Sequence, residues 1–67
     1  MKRYEVIAEI QTSPGKFTLV KVGEYKRLPE AERAAESAMD LNLISTVWVY
    51  DSIWDVNLVT LSVEPLD

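Results

Sequence analysis

The chain of 67 residues contains no cysteine and no histidine, and its only two glycines are Gly15 and Gly23. Without cysteine no disulfide can form, and without either residue type a structural zinc site of the usual kind is excluded. Two isolated glycines rule out a P-loop or a dinucleotide-binding fingerprint, because both motifs need several closely spaced glycines. No serine lies in a recognisable motif with a general base. We therefore expect a protein that is not an enzyme and that needs no metal or cofactor.

Basic residues are missing from the second half of the chain, because Arg33 is the last cation of the sequence. Residues 1–33 carry seven cations and five acids, whereas residues 34–67 carry six acids and no cation. The two net charges, +2 and −6, add to the −4 of the whole chain. Because nucleic-acid binding depends on cationic contacts with phosphates, we expect no direct binding to nucleic acid.

Long apolar runs are also absent. No stretch approaches the ~20 apolar residues that are needed to span a bilayer. Glu5 and Glu9 interrupt the N-terminal sequence, which is therefore unlike a signal peptide. A chain without cysteine fits a reducing compartment. We expect a soluble cytoplasmic protein without membrane association, or one in the host cell cytoplasm if its source is a virus.

The first third of the chain has the pattern of a β-hairpin. Residues 3–11 alternate between apolar and polar side chains, as a half-buried strand does. Pro14 and Gly15 favour a turn, and residues 17–25 predict the second strand.

The register of this hairpin is left open by the sequence. A turn of two or four residues pairs Ile10 with Leu19, whereas a turn of three residues pairs Ile10 with Val20. The pattern does not distinguish between them.

A helix is predicted after the hairpin, with Pro29 at its first position, where the missing N–H costs nothing. Asn42 is a suitable stop. Apolar residues recur at spacings of three and four, which gives the helix one apolar face. The residues of this face are Ala31, Ala34, Ala35, Ala38, Met39 and Leu41. Because the face is mostly alanine, the helix can pack closely on a sheet.

Two further strands complete the predicted fold. Residues 46–50 have the highest β-propensity of the chain, residues 51–55 form a connection, and residues 56–63 form a strand that Pro65 ends. A crossover through the helix places the third strand in the same sheet as the hairpin. We expect a single α+β domain over residues 1–67 with the order β-β-α-β-β. Its four strands form one antiparallel sheet in the order 2-1-3-4, with a single helix packed on one face.

One helix is too narrow to cover such a sheet. Four strands span roughly 19 Å, whereas a helix with its side chains is about 10–12 Å across. Strands two to four nevertheless carry apolar residues at both alternate positions, which indicates a second apolar contact surface. Three explanations remain open: the loops fold over the uncovered face, a second copy of the chain covers it by face or edge, or another protein does.

Acidic residues recur along the exposed face of the predicted helix. Glu32, Glu36 and Asp40 are spaced four apart and therefore form a stripe. This stripe is either a docking surface for a basic partner, an imitation of a row of phosphates, or a solvated face that aids solubility.

The connection at residues 51–55 sets two carboxylates around Trp54. Tryptophan is enriched among the residues that dominate binding energy, so we predict an anchor; the alternative is that Trp54 folds back over the core beside Trp48. The segment lacks the glycine and the third carboxylate of an EF-hand calcium loop. The predicted partner contacts are Glu32, Glu36, Asp40, Asp51, Trp54 and Asp55.

Residues 28–36, Leu-Pro-Glu-Ala-Glu-Arg-Ala-Ala-Glu, lie between the predicted hairpin and the third strand. In this arrangement the chain resembles small phage-encoded host-takeover proteins, in particular the short bacteriophage inhibitors of bacterial RNA polymerase. The resemblance implies a compact protein that acts by binding and blocking another protein. That family also relies on arginines in its last strand, and residues 46–67 contain none. The resemblance therefore implies the class of protein and not the same target.

These observations predict a small acidic protein-binding module, an inhibitor from a phage or mobile element that occludes a basic surface of a host protein. Two alternatives remain. One is a structural homodimer or a subunit of a larger assembly, and the other is a DNA mimic of the anti-restriction or anti-CRISPR type.

Overall fold

The computed structural model describes residues 2–41 and 44–62. The elements follow one another along the chain as β1 (Tyr4–Ser13), β2 (Lys16–Tyr25), α1 (Leu28–Met39), β3 (Ile44–Asp51) and β4 (Val56–Ser62). The strands form one sheet in the order β2-β1-β3-β4, in which all neighbours are antiparallel. The predicted α+β class and strand order are confirmed.

The hairpin turns at Pro14 and Gly15, between the end of β1 and the start of β2. Gly15 has a φ of 79°, a left-handed value that glycine adopts without steric cost. A proline followed by a glycine with positive φ is the combination typical of a type II turn.

Both predicted hairpin registers are wrong. Ile10 pairs with Thr18, not with Leu19 or Val20. The turn has two residues, as one of the alternatives required, but the pairing shifts by one residue near Thr12. Such a bulge adds a residue to one strand without changing the turn, so neither loop length nor alternation could reveal it.

The helix starts one residue before Pro29, which therefore occupies its second position and not the first. It ends at Met39, where the backbone N–H of Asp40 donates to the carbonyl of Ser37 at 3.3 Å. Leu41 consequently lies beyond the helix and is 61% exposed, so its predicted place in the apolar face is wrong. The predicted helix stop, Asn42, lies outside the described residues, as do the last predicted strand residue, Val63, and the predicted strand end, Pro65.

The core lies between α1 and one side of the sheet. α1 packs on all four strands, and its alanines bring it close to the backbone of the central pair. The fully buried apolar residues are Val6 and Ala8 of β1, Val47 and Val49 of β3, and Ala31 and Ala35 of α1. We refer to this as the covered side of the sheet. On the other side, the open side, no element of residues 2–41 and 44–62 packs.

Candidate protein-binding surface

Residues 52–55 connect β3 to β4 and are called the Trp54 loop below. The residue before this loop, Asp51, is 2% exposed. Its Oδ1 accepts the backbone N–H groups of Ile53 at 2.9 Å and of Trp54 at 3.2 Å. One carboxylate oxygen therefore fixes the first turn of the loop from inside.

Arg3 holds the same carboxylate from the start of the chain. Its Nε donates to Oδ1 of Asp51 at 3.0 Å and its Nη2 donates to Oδ2 at 2.7 Å, which is the two-pronged geometry of a strong charge-assisted pair. The Arg3 guanidinium also lies 5.3 Å from the centre of the Tyr4 ring. The backbone carbonyl of Arg3 accepts both the N–H of Ser52 at 3.0 Å and its hydroxyl at 2.7 Å.

This pairing keeps Asp51 ionised. The hydrogen bond from Arg3 lowers the pKa of Asp51, and the backbone N–H groups of Trp54 and Ile53 lower it further. Burial acts in the opposite direction, because it penalises the charged carboxylate. The buried carboxylate is thus a structural anion that organises the loop.

The far end of the loop is held by Asp55. Its backbone N–H donates to the carbonyl of Asp51 at 2.7 Å, and its φ of 55° lies in the left-handed region. The Tyr50 hydroxyl donates to the carboxylate of Asp55, and this bond raises the pKa of Tyr50. Aspartate tolerates this backbone conformation better than most residues, so the sequence suits the turn.

Two large apolar side chains project from this fixed loop. Ile53 is 67% exposed and Trp54 is 70% exposed. The interpretation in which Trp54 folds back over the core beside Trp48 is therefore wrong. A loop that is ordered in the free protein loses little conformational entropy when it binds.

The structure places the six predicted contacts in three different settings. Trp54 and Asp55 are exposed in the loop, whereas Asp51 is buried in its Arg3 pair and is not a surface contact. Glu36 and Asp40 are exposed along α1, and Glu32 is half-buried.

The acids of α1 do not all lie beside the loop. α1 begins just after Tyr25, which pairs with Tyr4, and Tyr4 pairs on its other side with Asp51. The start of α1 and the Trp54 loop therefore share one end of the sheet. At 1.5 Å per residue, Asp40 lies about 12 Å further along the helix than Glu32. Of the three acids predicted as contacts, Glu32 therefore lies nearest the loop end of the helix.

The open side of the sheet carries a shallow apolar hollow of about 270 Å³. It is lined by Ile7, Leu19, Trp48 and Asn57, which come from all four strands. The sequence contained a signal for it, since apolar residues at both alternate positions of β2 and β3 exceeded what one helix covers.

A charged group borders this hollow on the open side. Lys21 contacts Glu5 at 3.0 Å and Glu24 at 2.7 Å. The pKa of Lys21 is raised by its hydrogen bonds to Glu24 and Glu5. The pKa of Glu24 is lowered by its hydrogen bond to Lys21. This cation is therefore balanced by two neighbours and leaves the rim of the hollow slightly acidic.

A second apolar groove, of about 330 Å³, runs between α1 and β2. Its lining residues are Val22, Tyr25, Ala34, Ser37, Ala38, Leu41 and Ile44. Leu41, which lies beyond the C-terminal end of α1, is an exposed part of its lining. The sequence reasoning missed this groove because it assigned Leu41 to the buried face of the helix.

Over residues 2–41 and 44–62, no group of three or more acidic side chains is arranged to bind a metal ion. In the same part of the chain no helix combines the length and the apolar composition needed to cross a membrane. No protein-family model matches the sequence, and comparisons with curated proteins and with solved structures find no significant similarity.

Proposed function

We propose that this chain is a non-enzymatic protein-binding module that inhibits another protein by covering part of its surface. The observation that carries the proposal is the Trp54 loop, on which Ile53 and Trp54 stand more than two-thirds exposed. Large apolar side chains that a soluble protein leaves exposed together usually mark an interaction site.

The construction of the loop supports a binding role. Hydrogen bonds of Asp51, Arg3 and Asp55 fix the loop backbone and the buried carboxylate that precedes it. Tryptophan supplies a large contact area with few rotatable bonds, and such residues dominate the energy of protein interfaces. The loop therefore has the properties of an anchor that inserts into a pocket on a partner.

The charge around this anchor favours a partner with a basic rim. Asp55 lies beside Trp54, Glu36 is exposed on the flank of α1, and Glu32 is half-buried in the turns of α1 nearer the loop. Acids at the rim of an interface increase the rate of association with a cationic surface more than they add to its affinity. Glu36 is thus a steering residue in this proposal, and Trp54 supplies the affinity.

The nature of the partner rests on the sequence resemblance alone. The helix at residues 28–36 and the preceding hairpin are similar to those of phage-encoded inhibitors of host proteins. We therefore propose a phage or mobile-element source and a host protein as the target, in the cytoplasm that a chain without cysteine fits.

Affinity capture from a bacterial lysate followed by titration calorimetry with the purified captured protein tests the proposal. Trp54→Ala is expected to weaken binding by about 2 kcal/mol or more, the usual scale for an anchor residue. Leu41→Ala is the matched control, because Leu41 is similarly exposed but lies at the other end of α1. An equal affinity for the Trp54→Ala variant and the wild type would remove the loop from the interface.

Charge reversal tests the steering role separately. Glu36→Lys is expected to slow association with a basic partner, and the effect should shrink as salt screens the charges. Dissociation should change little. A clearly faster dissociation or an unchanged association rate at low salt would contradict steering by this flank of α1.

A further inference from the structure

The two outer strands of the sheet differ in the protection of their free edges. β2 carries Lys16, Lys21 and Glu24, and charged side chains on an edge discourage pairing with another chain. β4 reads Val-Asn-Leu-Val-Thr-Leu-Ser and contains neither a charge nor a proline. Among the described residues β4 has a strand neighbour, β3, on one edge only. As far as residues 2–41 and 44–62 are concerned, its other edge is open to strand addition.

A bulge limits which part of β4 can pair. Asn57 pairs with Tyr50 and Val59 pairs with Val49, so Leu58 is the extra residue between them. Bulges are one of the devices that block an edge. The pairing from Val59 to Ser62 is regular, so the second half of β4 keeps an unprotected edge.

The absence of charge in β4 favours an identical strand as its partner. A two-fold symmetric pair of identical strands uses the same patch of both copies. A charged residue near the axis would therefore lie opposite a like charge, which is destabilising. A chain with a net charge of −4 also repels its own copies as a whole. β4 is the outer strand that adds no charge to this repulsion, which favours a second copy over a charged foreign strand.

We propose that β4 pairs antiparallel with β4 of a second copy of this chain, so that two sheets join into one of eight strands. The two helices then lie on the same side of the joined sheet. This pairing goes beyond the proposed function, because it uses an edge that does not include the Trp54 loop.

The alternation of β4 selects the register. Val59 and Leu61 pair with the buried residues Val49 and Val47, so both belong to the covered side, whereas Thr60 pairs with Trp48 on the open side. A register centred on Thr60 sets Val59 beside Leu61 of the second copy and keeps both on the covered side. The two Thr60 residues then face each other, which is a favourable cross-strand pair.

Light scattering after gel filtration tests this pairing on the full chain. The protein is loaded at concentrations from micromolar to about 1 mM, a range that reaches weak specific association. With rising concentration the measured mass should increase to twice the 7.6 kDa of one chain. Thr60→Lys sets two cations face to face at the two-fold axis, so the dissociation constant should rise about tenfold or more. Thr18→Lys on β2 places the same residue on the other outer strand and should leave the dimer unchanged.

Three results would overturn the pairing. The first is a wild-type chain that stays monomeric at every concentration, and the second is a Thr60→Lys variant that dimerises like the wild type. The third is a dimer that Leu19→Glu dissociates and Thr60→Lys does not, which would assign the contact to the open side. If Thr60→Lys does not fold, hydrogen exchange of the wild type decides instead: the amides of β4 should gain protection with concentration, and no gain would reject the proposal.

Discussion

The two sides of the sheet are built from the same kinds of residue and are used differently. On the covered side, Val6, Val47 and Val49 are fully buried against the alanines of α1. On the open side, Trp48 is half-buried and Leu19 is 62% exposed, beside the Glu5–Lys21–Glu24 group. Apolar composition alone therefore does not locate the core. The buried contacts that stabilise the fold lie on the side of the helix, and no element of residues 2–41 and 44–62 covers the open side.

Truncation of one side chain on each side of the sheet tests this difference most strongly. Val47→Ala removes two methyl groups from a fully buried position and leaves a cavity, so we expect a loss of about 2–3 kcal/mol in the free energy of unfolding. Leu19→Ala removes three carbon atoms but from a mostly exposed side chain, and we expect a loss below about 1 kcal/mol. Urea unfolding followed by circular dichroism measures both.

A reversed order would change the interpretation of the open side. If Leu19→Ala costs as much as Val47→Ala, Leu19 must be buried in solution. Repeating the urea titration at several protein concentrations then identifies the cover, because burial by a second copy makes the midpoint rise with concentration.

Much of this arrangement follows from the sequence. Alternation located β1 and β-propensity located β3, and the alanine spacing of α1 identified its buried face. The crossover through the helix placed the third strand in the same sheet as the hairpin, and the expected strand order agrees with the structure. What alternation cannot supply is the position of a bulge, because one extra residue near Thr12 or at Leu58 leaves the composition of the strand unchanged.

The candidate surface was less predictable for a different reason. The segment around Trp54 was recognised as a connection, but the role of Asp51 depends on Arg3, which lies 48 residues away in the chain. The local sequence does not distinguish Asp51 from Asp55, because both are acids close to Trp54. Only the tertiary contact with Arg3, the residue before β1, makes one of them an internal anion and leaves the other exposed.

Acid titration tests Asp51, the one charged side chain that is buried among residues 2–41 and 44–62. Its pKa in the folded protein lies below the value near 3.8 expected in the unfolded chain. A lowered pKa stabilises the fold fully above about pH 4–5, and this contribution is lost as the pH falls through the unfolded and then the folded value. Asp51→Asn should therefore lower the Tm at pH 7 and flatten its dependence on pH below 5.

Glu24→Gln is the matched variant on the open side. The pKa of Glu24 is also lowered from its ordinary value of 4.5, by Lys21, so its ion pair likewise stabilises the fold above that value and is lost as the pH falls below it. Because Glu24 is exposed and its ion pair is screened by solvent, the change in Tm should be smaller than for Asp51→Asn. A larger effect of Glu24→Gln would mean that the open side contributes more to stability than its exposure indicates.

The helix repeats the contrast on a smaller scale, with alanines toward the sheet and acids toward solvent. Glu30 lies in the first turn, where a negative charge favours the helix dipole, whereas Asp40 lies at the C-terminal end, where it opposes the dipole. Asp40→Lys should raise the free energy of unfolding by about 0.3–1 kcal/mol, and Glu30→Lys should lower it by a similar amount. Urea unfolding at low and high salt measures both, since screening should shrink each change. If Asp40→Lys stabilises the chain but weakens binding to its partner, the acid at this position serves recognition at a cost to folding; if binding is unchanged, Asp40 is a solvated residue outside the interface.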